Sequence, residues 1–480
     1  MIIKLSNKIN EMSDGQKAAI AYMFASLIQQ GISFLITPLF TRLLTTEEFG
    51  TITVYNSWVD MIGTLAMLSL SSGIFNVGMI DFSKNRDSFT SALLGLSNIA
   101  TVLTMFSFWG MSRLFPSVVS MPDSLYLLMF LYFIFYPATR FWIARQRYEY
   151  RYKALTLVTI LSALLSPTVG LVAVLLMNEN LGVVRLWGTN SILILFGIFF
   201  YIRMLQKDKK IYNKKIFLYA LKFSIPLLPH YMAMYILATS DRVMIQSIVG
   251  TAEAGLYGLA YTASMIICVV WTAIQGSLTP YVYEKLKNDK LDEIAPVAIP
   301  CIVIFSLFCF GVVLVAPEFI LILGGEKYEA STMLIPPLIA AVLFMEMYNL
   351  FSMIEFYHKK TLKIMFATLL AAVINILMNL FAISYFGYIA AAYTTLICYI
   401  LYCIFHYYNM KTIEQRKIYD GKFLVYYSII YVLLCLMCLL IYPYWIVRYV
   451  ILLSILIYAF IKRNTLISLY KRKMIFKKCI

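Results

Sequence analysis

The sequence predicts an all-α integral membrane protein of about fourteen transmembrane helices: two pseudo-symmetric six-helix lobes related as parallel repeats, followed by two C-terminal helices. Three observations predict it: an apolar composition, a series of apolar runs long enough to cross a bilayer, and a one-sided distribution of basic loop residues. Of the 480 residues, 61% are hydrophobic and only 13% charged, with a mean hydropathy of +0.80. Soluble domains carry about 25% charged residues, so this chain cannot clothe itself in polar groups and its apolar surface must face lipid. Strands of a membrane barrel are excluded, because the runs are too long and too continuously apolar to alternate with period two.

A helix crosses roughly 30 Å of hydrocarbon with about 20 apolar residues. The first run, 18–40, is too long for a cleavable leader, contains Gln29 and Gln30, and is followed by no small-residue cleavage site, so it is expected to remain as span 1. Spans 2 to 6 follow at 52–78, 88–110, 124–142, 154–177 and 184–203. The stretch 204–218, rich in Lys with Asn and Asp, reads as a basic linker. Spans 7 to 12 lie at 219–240, 255–280, 294–316, 332–355, 361–384 and 388–410, and spans 13 and 14 at 422–442 and 445–462. The expected organisation is therefore an N-terminal lobe over 1–203, the cytoplasmic linker 204–218, a C-terminal lobe over 219–410, and spans 13 and 14 with a basic cytoplasmic tail over 411–480.

An even number of spans puts both ends on one side. Of the 40 Lys and Arg residues, 34 fall in the loops and tails of that side, and only Arg42, Arg113, Arg185, Arg242, Lys327 and Arg448 fall on the other. Lys and Arg are retained at the cytoplasmic face, so both termini are expected there. The net charge of +16 is then an orientation signal and a contact with anionic lipid, and no nucleic-acid partner is implied.

Catalytic chemistry is not expected. Cys435-x-x-Cys438 lies in an apolar span, where a redox or metal role lacks aqueous access and apolar filling is the simpler reading. Cys479 is penultimate, the wrong place for prenylation. His230, His358 and His406 form no catalytic cluster, there is no phosphate-binding glycine loop, and neither metal nor cofactor is expected.

The chain repeats itself once. After span 1 comes Arg42 and then Thr46-x-Glu48-x-Gly50; after span 7 comes Arg242 and then Thr251-x-Glu253-x-Gly255. The pattern reads as a short outer turn, with Thr as N-cap, Glu in the first helical turn and Gly where helices approach closely. Six spans separate the copies, so the halves run in the same direction.

These residues resemble a Wzx-type polysaccharide flippase of the multidrug/oligosaccharidyl-lipid/polysaccharide superfamily. The likeness covers nearly the whole chain. It rests on Thr41-Arg42-Leu-Leu-Thr-Thr-Glu-Glu48-Phe-Gly50, on Asp241-Arg242-Val-Met-Ile with Gly255-Leu-Tyr257 and Pro280, on Gly325-Glu-Lys-Tyr328, and on Asn375-Ile-Leu-Met-Asn379 with Phe386-Gly387 and Ala390-Ala391-Ala392. The resemblance implies translocation of an undecaprenyl-pyrophosphate-linked oligosaccharide to the outer leaflet of a bacterial inner membrane by alternating access, with H⁺ or Na⁺ as coupling ion and a polysaccharide polymerase or other assembly proteins as partners. A lipid II-type flippase and a cation-coupled multidrug exporter of the same superfamily remain the alternatives.

A pyrophosphate-linked sugar needs a polar, net-positive cavity. Spans 1 and 7 are the most polar and the most interrupted, with Gln29, Gln30 and Pro38 in one and Pro226, Pro229 and His230 in the other, as expected of cavity-lining helices in matching positions of two halves. Asp60, Glu346 and His230 are ionisable groups inside spans, costly unless functional; interhelical bonding and cavity lining or ion coupling both fit them. Asn375 and Asn379 share a helix face and suit either helix adhesion or sugar hydroxyls. Arg42 and Arg242 are read as a cation pair for pyrophosphate, with Asp241 as a resting partner, and Arg140 and Arg145 as either its inward counterpart or ordinary positive-inside anchors.

Overall fold

The computed structural model describes residues 13–71 and 73–461, and every element among them is helical. The basic tail over 462–480 and the N-terminal Lys4 and Lys8 lie outside the described residues. The helices are α1 (Asp14–Leu43), α2 (Thr46–Ala66), α3 (Gly73–Asp81), α4 (Arg86–Leu114), α5 (Asp123–Tyr148), α6 (Tyr152–Leu176), α7 (Leu181–Lys207), α8 (Lys214–Ser224), α9 (Leu228–Ile248), α10 (Thr251–Met265), α11 (Cys268–Lys287), α12 (Ala295–Leu314), α13 (Ala316–Gly324), α14 (Ile335–Tyr357), α15 (Thr361–Phe386), α16 (Ala390–Glu414), α17 (Gly421–Ile441) and α18 (Trp445–Ile461). Helices satisfy their own backbone groups, which is the condition for crossing lipid. Twelve helical stretches among the described residues are long and apolar enough to do so; a shorter apolar helix follows at the C-terminal end. The other of the fourteen predicted spans is α2, whose 21 residues include Glu47, Glu48 and Asp60.

Local sequence decides where helices start and bend. Ser13 with Gln16 and Thr45 with Glu48 form capping boxes on α1 and α2, and Asn213 and Asp420 cap α8 and α17. The α2 box uses Thr45, one residue ahead of the expected Thr46, because a box needs Glu three residues beyond the cap. In the second copy the residue three before Glu253 is Gly250, which has no side chain to cap with. Pro38 sits inside an unbroken α1, whereas Pro226 lies within a 3₁₀ turn, Ile225–Leu227, that separates α8 from α9, and Pro229 lies in the first turn of α9.

Packing divides the chain into two units, residues 1–258 with 379–384, and residues 259–378 with 385–480. In the first unit, Phe75 stacks on Phe141 at 5.7 Å between ring centres, Phe82 on Phe89 at 5.1 Å, and Gly78 lets the Phe89 ring close in. The connector after α7 is pinned: the Ile211 carbonyl lies against Gly95, where a Cβ would come within 1.9 Å of it. In the second unit α14 is the central helix, buried from Ile335 to Phe344 and packed against α11, α12, α16 and α17. Outward-facing apolar residues such as Leu433 and Leu440 of α17 form the surface expected to meet lipid.

Candidate functional site

The duplicated motif builds the most constrained part of the first unit. α2 crosses α10 with Gly50 against Gly255: a Cβ on Gly50 would lie 1.8 Å from the Thr251 carbonyl oxygen, and one on Gly255 would lie 2.1 Å from that of Thr46. One helical turn on, Gly258 meets Thr53, whose hydroxyl reaches the Ala254 carbonyl at 3.4 Å. The two copies are thus each other's packing partners. Glu48 fixes the crossing further. One of its carboxylate oxygens accepts the Thr45 N–H at 2.8 Å, and the other accepts the Leu181 N–H at 3.0 Å, so one side chain caps both α2 and α7. Gly182 admits the close approach. Arg185 of α7 lies over the Phe40 ring at 3.8 Å.

The paired arginines share a local geometry. Arg42 donates from Nη1 to the carbonyl four residues back, Pro38, at 2.9 Å, and Arg242 does the same to Ala238 at 2.7 Å. Their surroundings differ: Arg42 is exposed in the last turn of α1, whereas Arg242 is 6% exposed and lies about two turns before the end of α9. Beside it Asp241, fully buried, accepts from the Tyr257 hydroxyl at 2.7 Å and from the Asn379 amide. The Arg242 guanidinium sits 5.9 Å from the centre of the Tyr257 ring, within cation–π range.

On the same unit, α2, α5 and α9 bring three of the sequence-predicted residues into one electrostatic neighbourhood. Asp60 of α2 lies within reach of Arg242 and of Tyr235 on α9; Tyr235 also faces Arg140 of α5. Arg140 lies beside Tyr136, whose ring stacks on Tyr132 at 4.5 Å. The result is a face with two guanidiniums, one carboxylate and several tyrosines. The tyrosines carried no signal in a chain with 36 of them; the i, i+4 spacing of Tyr132 and Tyr136 on one helix face could have drawn attention.

The remaining predicted residues stand apart from this face. Gln29 and Gln30 are exposed on α1, with the Gln30 amide donating to Ser26 at 3.3 Å. His230 is half-buried, its Nδ1 enclosed without a hydrogen-bond partner. Arg145 is held by Asp87 and, at 2.9 Å, by Glu149. In the second unit Glu346 is buried and accepts from the Asn349 amide at 2.8 Å, and Asn375 is fully buried on α15.

Two pairs, one fully buried and one half-buried, were not anticipated. Glu355 of α14 and His406 of α16, both fully buried, are hydrogen-bonded at 2.8 Å. Arg448 of α18 makes a two-pronged bridge to Glu318 of α13, both bonds 2.7 Å, and donates to the Leu314 carbonyl at 2.7 Å. The bridge holds the Glu318 carboxyl below the usual carboxylate range.

A family model described as polysaccharide biosynthesis protein matches residues 16–285. Two proteins of Haemophilus influenzae are similar to the chain. An Lsg-locus protein is 28% identical over 106 residues, 22% of this chain and 26% of that protein, so the chain spans about a quarter of that relative's length. A membrane protein is 22% identical over 373 residues, 75% of this chain and 88% of that one. Among solved structures, the inward closed lipid II flippase MurJ aligns with a TM-score of 0.61 at 14% identity, over 94% of this chain and 99% of its own. An inward-facing multidrug resistance MATE transporter of the MOP superfamily aligns with a TM-score of 0.57 at 12% identity, over 82% and 96% of the two chains. At such identities the likeness is one of fold.

Proposed function

The chain belongs to the polysaccharide biosynthesis protein family, and on that premise we propose that it flips an undecaprenyl-pyrophosphate-linked oligosaccharide from the cytoplasmic to the outer leaflet. The observation that carries this reading is the face bearing Asp60, Arg140 and Arg242 among tyrosines. Its two guanidiniums suit a pyrophosphate, because arginine forks match phosphate oxygens in pairs. Tyrosine rings offer flat apolar faces with a polar edge, a surface that sugar rings can stack on while their hydroxyls bond to the phenol.

The chain acts by alternating access between lobes 1–203 and 219–410, joined at 204–218, with both termini in the cytoplasm. Arg42, exposed and equivalent to Arg242 in the repeat, receives the pyrophosphate as the cavity turns outward. The crossing of α2 on α10 at Gly50 and Gly255 is the contact that must part at that moment. Outward movement of the negative headgroup is favoured by a negative-inside potential, about 2.3 kcal/mol per charge per 100 mV; a counter-moving H⁺ or Na⁺ adds to this drive.

The experiment is complementation of a strain lacking the protein. Arg140→Ala and Arg242→Ala are expected to abolish surface polysaccharide and to accumulate lipid-linked repeat units on the cytoplasmic side, as is the double Arg42→Ala, Arg242→Ala protein. Full surface polysaccharide from either would overturn the role of these cations. Accumulation of lipid II instead would favour the peptidoglycan-precursor reading.

A further inference from the structure

A groove of about 720 Å³ runs between α15 and α16 in the second unit, a volume within the range of small-molecule sites. Its walls are apolar, with Phe366, Leu401 and Ile404 each more than 40% exposed along it. One mouth is polar and is built by Lys363, Asn409 and Thr412. Asn409 is only 7% exposed, and its Nδ2 is enclosed without a hydrogen-bond partner. A buried donor left unpaired costs on the order of 1–3 kcal/mol, a penalty removed by a ligand that brings an acceptor. The Thr412 hydroxyl is already spent on the Asn409 carbonyl at 2.7 Å.

Charge at this mouth is one-sided. Lys363, which lines it, is exposed, as are Lys359, Lys360 and Lys411, close to the lining residues along the chain. The nearby carboxylate, Glu414, is engaged by His358 at 2.9 Å and lies 3.7 Å from Arg416. A long apolar channel open along its side, ending in an uncompensated ammonium and an unspent amide donor, matches the chemistry of a lipid with an anionic phosphate headgroup.

We propose that this groove is a binding site for an anionic phospholipid of the leaflet at which Lys363 lies. Its phosphate rests against the Lys363 ammonium and the Asn409 amide, and an acyl chain lies along Phe366, Leu401 and Ile404. The assignment does not depend on which way the helices run through the membrane or on the substrate carried. A lipid seated here would tie α15 to α16 at the level of the headgroups.

The test is native mass spectrometry of the detergent-purified full-length protein exposed to phosphatidylglycerol or to phosphatidylcholine of identical chains. Phosphatidylglycerol should be retained about fivefold better, the factor one Lys near an anionic surface supplies. Lys363→Ala and Asn409→Leu should each remove most of that preference, while Lys422→Ala, outside the groove, should leave it intact. Lys363 is exposed, so its loss does not threaten folding. Equal retention of the two lipids, or an unchanged preference in the Lys363 and Asn409 variants, overturns the proposal. So does displacement of phosphatidylglycerol by equimolar undecaprenyl phosphate, which would assign the groove to the polyprenyl chain instead.

Discussion

Substituting Gly50 by alanine tests the crossing of the two motif copies directly. The added methyl would sit 1.8 Å from the Thr251 carbonyl oxygen, and ordinary contact begins near 3.4 Å, so the backbones must separate by about 1.6 Å. For Gly255→Ala the same subtraction from 2.1 Å gives about 1.3 Å. Neither clash can be relieved by a side chain, because the opposing atoms are backbone on both sides. Overpacking costs typically about 1–3 kcal/mol, and a clash with rigid helix backbone belongs at the top of that range. At about 2.1 cal/mol/K of unfolding entropy per residue, a loss of about 3 kcal/mol corresponds to a fall in Tm of roughly 3 °C for a chain of this size. The double variant should cost less than the sum, since the second methyl enters a gap the first has opened. Gly276→Ala is the control, because no atom lies within 4 Å of its added carbon, and helix propensity alone should make it neutral or stabilising by about 0.5–1 kcal/mol. The assay is thermal unfolding of the purified proteins in one detergent, with surface polysaccharide scored in parallel. A Gly50→Ala protein melting within a degree of wild type, or a Gly276→Ala protein falling as far, would refute the reasoning.

Glu48→Ala removes the Glu48 half of the α2 capping box and the cap of α7 together and should destabilise by about 2 kcal/mol, at about 1 kcal/mol per helix; Glu48→Gln, with a single acceptor oxygen, should lose about half of that in the same melts. Glu355→Leu leaves His406 buried alone and should cost about 3–5 kcal/mol, whereas adding His406→Leu should recover most of the loss, because a buried pair replaced by apolar residues is often neutral; a double variant as unstable as the single one would show that the pair is itself stabilising. The Glu318 carboxyl is held below its unfolded value by Arg448, so its contribution is full above the usual carboxylate range near 4.3 and is lost as pH falls through the lower folded value. Arg448→Met should therefore lower Tm at pH 7 and flatten the acid side of the Tm profile, and an unaltered acid slope would count against the bridge.

What could be read in advance follows from the physics of each feature. Crossing lipid imposes length and apolarity on every span, so the predicted runs fall on helices among the described residues, although 52–78 is broken by a turn between α2 and α3. Capping boxes are also local, yet the motif Thr46 was read as the cap where Thr45 serves, because the i, i+3 box outranks the spacing shared by the two copies. Partnerships across the chain were invisible. Glu48 reaches Leu181, 133 residues away, and Asp241 reaches Asn379, 138 residues away, and nothing in the intervening residues encodes either distance.

The repeat shows the limit most sharply. It placed Arg42 and Arg242 in equivalent positions, and their shared bond to the carbonyl four residues back agrees. The motif follows Arg42 by four residues and Arg242 by nine, so the second helix continues for more than a turn beyond its arginine. That extra length carries Arg242 away from the exposed helix end and beside Asp241, Tyr257 and the Asp60 face, while Arg42 stays in the open. A desolvated guanidinium interacts more strongly with an anion than an exposed one, so the two equivalent arginines cannot be functionally equal. Arg242→Lys, which keeps the charge but loses the planar fork, should therefore impair polysaccharide export far more than Arg42→Lys; equal loss from both substitutions would place the functional weight on charge alone.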